Sequence, residues 1–138
     1  MQNISGRLGF SGATSHVEAG RPENTAEPFK LSYDYTKEKL GDWDNLRIVG
    51  LLPVVFVPIV DDKDPPTWPI DLGEPQVEND SSVITLPDGW GAVLPDSVHK
   101  KTAYMTFDKT YKIAGDKLTV DRKIEVLKRY IPVSDWKA

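Results

Sequence analysis

The chain contains no cysteine. Disulfides, thiolate metal sites and a cysteine nucleophile are thereby excluded. The compartment stays open, because 138 residues can bury a core without covalent staples. Histidine is nearly as scarce, with only His16 and His99 present. Neither sits in an HxH or HExxH spacing, so no zinc motif exists, and both read as polar loop or surface residues. A Gly-x-Ser-x-Gly elbow is also missing, which leaves a Ser-His-Asp arrangement without any sequence signal.

An excess of positive charge is lacking as well. The 17 basic and 21 acidic residues are interspersed and sum to −4, so no basic stripe is available to neutralise a phosphate backbone. Nucleic acid is not an expected partner. The longest uncharged run, residues 48–60, is too short to span a bilayer and is broken by Gly50, Pro53 and Pro58, so no membrane span is expected. Residues 1–6 lack the basic-then-apolar order of a signal peptide, so an export signal is either absent or lost with upstream sequence. Long helices have no room either, because 11 prolines and 10 glycines are scattered through the chain.

What remains reads as short strands and turns. The expected fold class is all-β, an antiparallel β-sandwich with a C-terminal β-hairpin. Residues 1–25 read as a loosely ordered approach with an early strand near residues 7–10, and residues 26–138 as one sandwich domain. Between 29 and 36 the alternation is clean, with Phe29, Leu31, Tyr33 and Tyr35 on one face and Lys30, Ser32, Asp34 and Thr36 on the other. Residues 41–45 supply turn chemistry, and residues 61–66 close the apolar run 46–60. An irregular crossing over 67–81 leads to a short strand at 82–86, stopped by Pro87-Asp88-Gly89, with a further strand read at 92–98.

The best-specified element is a hairpin of residues 102–113 and 118–127 around Ala114-Gly115-Asp116-Lys117. Glycine at the first central position suits a type II′ turn. A turn centred on Gly115-Asp116 opposes Ile113 to Leu118, Tyr111 to Val120, Phe107 to Ile124 and Met105 to Val126 on one face. Phe107 and Ile124 are expected to be buried neighbours. The other face opposes Thr110 to Asp121, Asp108 to Lys123 and Thr106 to Glu125, partners suited to water. Lys109 and Arg122 break the order, because they face each other in the middle of the apolar side. A bulge, a nearby carboxylate, snorkelling to water or a bound anion would each resolve the conflict.

Three other groups invite a functional reading beside a plainer one. Asp61, Asp62 and Asp64, and separately Asp42, Asp44 and Asn45, offer oxygen ligands for calcium. They lack the spaced ligands, central glycine and closing glutamate of an EF-hand, and read better as solvated loops and turns. Trp43, Trp68, Trp90 and Trp136 all lie beside turn residues or near the end of the chain. The first three could form a platform for a sugar ring, or could tuck loop ends onto the core. Asn3-Ile4-Ser5 and Asn79-Asp80-Ser81 match the glycosylation sequon, a pattern that often arises by chance. No residue is assigned as catalytic, cofactor-binding or metal-ligating.

Within residues 51–60, Leu52, Val54, Val55, Phe56, Val57 and Ile59 leave almost no polar face. A strand apolar on both sides needs a cover on both sides, while Pro53 and Pro58 hold it at or near a sheet edge. Its second face is expected either to lie under residues 61–81 or to form a docking surface for another domain.

Phe29-Lys30-Leu31-Ser32-Tyr33-Asp34-Tyr35, Gly41-Asp42-Trp43-Asp44-Asn45, Leu118-Thr119-Val120-Asp121-Arg122 and Tyr130-Ile131-Pro132 carry a family likeness. The chain resembles the C-terminal β domain of bacterial transglutaminase-like proteins, which pair an N-terminal β domain of unknown function with a papain-like core. The resemblance spans residues 25–136 and rests on patterned strands rather than a catalytic motif. It implies an exported or envelope-associated bacterial protein whose catalytic-type Cys, His and Asp lie upstream. Without a cysteine, none of those residues transfers to this chain, and the implied role is that of a non-catalytic accessory domain docking on the upstream core. The alternative is a module that binds carbohydrate or peptide in the cell envelope.

Overall fold

The computed structural model of the chain describes residues 6–7, 12–36, 41–42, 47–48, 52–53 and 63–137, with only the backbone described at 41–42 and 47–48. The chain forms two compact units, Met1–Val55 and Phe56–Ala138, divided at a point that composition does not mark. The class is all-β with antiparallel sheets, as expected from the sequence.

In the first unit, β1 (Ala13–Ala19) pairs with β2 (Leu31–Thr36), and the short β3 (Gly41–Asp42) pairs with β4 (Arg47–Ile48). On β2, Leu31, Tyr33 and Tyr35 are half-buried while Ser32, Asp34 and Thr36 are exposed, which is the alternation its sequence carries. The strand starts later than the sequence pattern, leaving Phe29 59% exposed ahead of it. β1 runs through the stretch read as a loose approach. Apart from Thr14 its residues are exposed, so it has no apolar period and is recruited by pairing alone. The chains approach closely here, because a Cβ on Gly12 would collide with the Thr36 carbonyl oxygen and the Tyr35 ring. Of the early strand expected near 7–10, residues 8–10 lie outside the described residues.

In the second unit, β5 (Ile70–Asp71) pairs with β10 (Tyr130–Ile131), followed by a 3-10 turn at Val133–Asp135. The main sheet holds β6 (Gln76–Thr85), β7 (Val98–Lys101), β8 (Met105–Ala114) and β9 (Lys117–Val126), ordered β6-β9-β8-β7. The β8–β9 hairpin has the register its alternation requires, from Met105 opposite Val126 to Ile113 opposite Leu118. Gly115 takes φ +60°, and no non-glycine apart from His16 has positive φ among the described residues. Asp116 therefore keeps negative φ, the combination that defines a type II′ rather than a type I′ turn.

β9 is the core strand. Leu118, Val120, Ile124 and Val126 are buried on one side, Val120 completely, together with Leu86, Tyr104 and Ile131. Phe107 does oppose Ile124 but is only half-buried; both strands are interior, but the outer neighbour of β8 is the four-residue β7, whereas that of β9 is the ten-residue β6. Two strand expectations are corrected. The strand read at 82–86 begins at Gln76, and its first half is polar because its place is fixed by pairing with β9 rather than by an apolar face. The strand read at 92–98 is absent up to Ser97. β7 instead uses Val98-His99-Lys100-Lys101, all exposed, whose polarity hid an edge strand.

Candidate functional site

The conflict between Lys109 and Arg122 is settled by a third strand. The two do face each other, with no bulge in the register, but β6 places Asp80 directly opposite Arg122 on its other side. Arg122 donates from Nε and Nη2 to Asp80 Oδ2 at 2.9 and 2.6 Å, and Glu78 Oε1 lies 3.6 Å from Nη2. Both members of the inner pair are largely covered, at 10% and 12% side-chain exposure, so the pair is of the charge-assisted kind that water screens least. The nearby carboxylate is thus the resolution the fold contains. Lys109 lays its ammonium 5.3 Å from the Tyr111 ring centre, a cation–π contact. The pairing role of Asp80 is not legible in the sequence, because the residue falls in the stretch read as an irregular crossing.

The opposite face of the sheet carries an open depression of about 260 Å³ lined by Asn79, Ser81, Asp108, Thr110, Asp121 and Lys123, among others. Four of these side chains are already engaged. Ser81 Oγ donates to Asp121 Oδ1 at 2.7 Å, and His99 Nδ1 lies 2.8 Å from Asp108 Oδ1. Lys123 Nζ sits 3.2 Å from Glu125 Oε2. The arrangement can hydrogen-bond a polar ligand, but no group of three or more metal-ligating side chains occurs among the described residues.

Each histidine has a cross-strand aspartate that sequence spacing could not reveal. His16 occupies positive φ, +47°, at a break in the β1–β2 register, and its Nδ1 lies 2.6 Å from Asp34 Oδ2. Both pairs are exposed, so each is worth little in stability.

Two clusters tie the C-terminal segment to residues 71–74 and to Tyr104. Arg129 reaches Asp71 at 3.1 to 3.3 Å and Glu74 at 2.5 Å, stacks on the Tyr130 ring, and gives its carbonyl to Leu72 N–H. The guanidinium, together with the Gly73 N–H, holds the Asp71 carboxyl below its ordinary value. The buried Tyr104 donates its hydroxyl to Asp135, which also accepts from Ser134. Asp135 is lowered chiefly by the Tyr104 hydrogen bond, and the same bond raises the Tyr104 phenol.

The loop aromatics part company. Trp68 is 77% exposed and Trp90 49%, whereas Trp136 is half-buried, and Trp43 lies outside the described residues. Of the apolar segment, Leu52 is half-buried, while Val54, Val55, Phe56, Val57 and Ile59 fall outside the described residues. So do Asp61, Asp62, Asp44 and Asn45. Asp64 is exposed.

Residues 61–138 match a family described as a domain of unknown function with solved-structure structure, DUF3858. No curated protein and no solved structure matches the chain.

Proposed function

The chain belongs to this family of domains, and from the resemblance of residues 25–136 to the C-terminal β domain of transglutaminase-like proteins we propose a non-catalytic accessory role within a larger bacterial protein of that kind, exported or held in the cell envelope. In this reading the chain docks on a catalytic-type core encoded upstream. The observation that supports it most is the apolar surface left in water on the second unit, led by Trp68 at 77% and Val93 at 101% exposure. A tryptophan ring gains more from burial than any other side chain, so one held open is best explained by a partner that covers it. The missing cysteine is consistent with chemistry located elsewhere.

The genomic reading frame around residues 1–138 tests this directly. A cysteine-containing core upstream is expected. Joined to that core, the chain should show Trp68 emission shifted to the blue, and a frame without such a core overturns the reading. Exposure of both Trp68 and Trp90 also favours a second reading, a module that binds envelope carbohydrate or peptide.

A further inference from the structure

The two edges of the four-stranded sheet are built differently. β7 is four residues long and carries Lys100 and Lys101, the lysine guard typical of an edge that must not pair. β6 is ten residues long, has neither lysine nor proline, and pairs along its whole length with β9 on one side only. Among the described residues no strand and no backbone hydrogen bond meets its outer side. A straight edge of this length presents a row of free N–H and C=O groups.

The side chains say what would fit there. Val77 and Val83 stand 54% and 62% exposed on the outward face, with Asn79 and Ser81 between them. On the other face Glu78, its side chain 41% exposed, touches Arg122 only at 3.6 Å, since Asp80 holds the guanidinium. From residue 64 to residue 98 the chain has acidic side chains and no basic one. We propose that the outer edge of β6 is a strand-addition site for an extended segment of a protein partner, with lysine or arginine opposite Glu78 and β-branched or aromatic residues beside Val77 and Val83. Main-chain bonds would supply the attachment, and the charge and the two valines the selectivity. The inference does not depend on a transglutaminase-like parent.

The test uses the full chain and two capped peptides about nine residues long, the length of a strand. One alternates valine with lysine and threonine, and the other has glutamate for lysine. Amide NMR shifts and hydrogen exchange locate binding. The lysine peptide is expected to shift and protect alternate amides of β6, and the glutamate peptide to bind severalfold more weakly. Glu78→Gln should narrow that difference, and Val83→Lys should weaken the lysine peptide with no change in thermal unfolding. Equal binding of both peptides, shifts confined to other strands, or no binding would overturn the proposal. So would outward-pointing β6 amides, those not bonded to β9, already protected in the free chain: in a monomer they would mean that the edge is covered, and in a dimer that the occupant is a second copy.

Discussion

Asp80 and Arg122 meet across β6 and β9 on the buried face of the sheet, with both guanidinium nitrogens in contact sharing one carboxylate oxygen. The pair answers to Lys109, which the hairpin sets directly opposite Arg122 on the other side. Removing the carboxylate takes away the closest counter-charge of a covered guanidinium that faces Lys109, with the half-exposed Glu78 only at 3.6 Å. Asp80→Ala should therefore cost roughly 3–5 kcal/mol, the scale for breaking a covered pair. A joint Asp80→Leu, Arg122→Met change should cost far less. Urea midpoints of the three proteins check this, and an Asp80→Ala variant as stable as the double one would show that the pair carries no such burden.

Burial separates the two members of the hairpin's central apolar pair. Ile124 is buried, so Ile124→Ala should lose about 2–5 kcal/mol through transfer and cavity terms. Phe107 is half-covered and should lose less on truncation than a fully buried ring would. Lys123→Ala, on the water-facing side, should stay within about 0.5 kcal/mol of the parent. Denaturation curves that reverse the order of Ile124 and Lys123 would contradict the facing of β9.

Acid should lower the stability of the chain in small part through Asp71 and Asp135. Both carboxyls are held below 3.8 in the folded chain, by Arg129 and by Tyr104 respectively. An unfolded aspartate titrates near about 3.9. Their contribution is therefore complete above that value and is lost as pH falls through the lower folded values. Tyr104 is raised above 10.0, so its contribution is present below the unfolded phenol value and is lost as pH climbs through the folded one. Tyr104→Phe should flatten both limbs of a Tm-against-pH curve, while Arg129→Gln should flatten only the acid limb. A Tyr104→Phe curve parallel to the parent would remove the coupling to Asp135.

Trp68 and Trp90 should report any sugar that binds. Titration with peptidoglycan fragments should quench emission to saturation if the carbohydrate reading holds, and Trp68→Ala should abolish the response without lowering Tm. Emission unchanged by every glycan would leave the docking role alone in place.

The hairpin was legible because three independent signals coincide at residues 105–126. Period-two alternation, a glycine at the only place where the turn needs positive φ, and opposite charges on the wet face all demand one register. The polar half of β6 carries none of these. Its position is set by β9, and nothing local in Gln76-Val77-Glu78-Asn79-Asp80 announces a strand. For the same reason the partner of Arg122 could not be read. Asp80 lies 42 residues away in sequence, and only the pairing of β6 with β9 brings the two together. The histidine–aspartate pairs escaped likewise, since His16 reaches Asp34 through a register break that sequence does not encode. The division after Val55 leaves no compositional trace.

The strand order β6-β9-β8-β7 fixes a sequence of events as well as a shape. β8 and β9 close through two residues, whereas Gln76 must find Val126 across the whole of β7, β8 and their connections. Chain entropy therefore puts the local hairpin early and the arrival of β6 late. Damage at Gly115 should chiefly slow refolding. Damage at Asp80 should leave the refolding rate nearly untouched and hasten unfolding, so the ion pair acts as a latch on the finished sheet. On that timetable the long edge strand is also the first part to let go, and transient release of β6 would bare one edge of the strand that carries Val120, which stays paired with β8 on its other side.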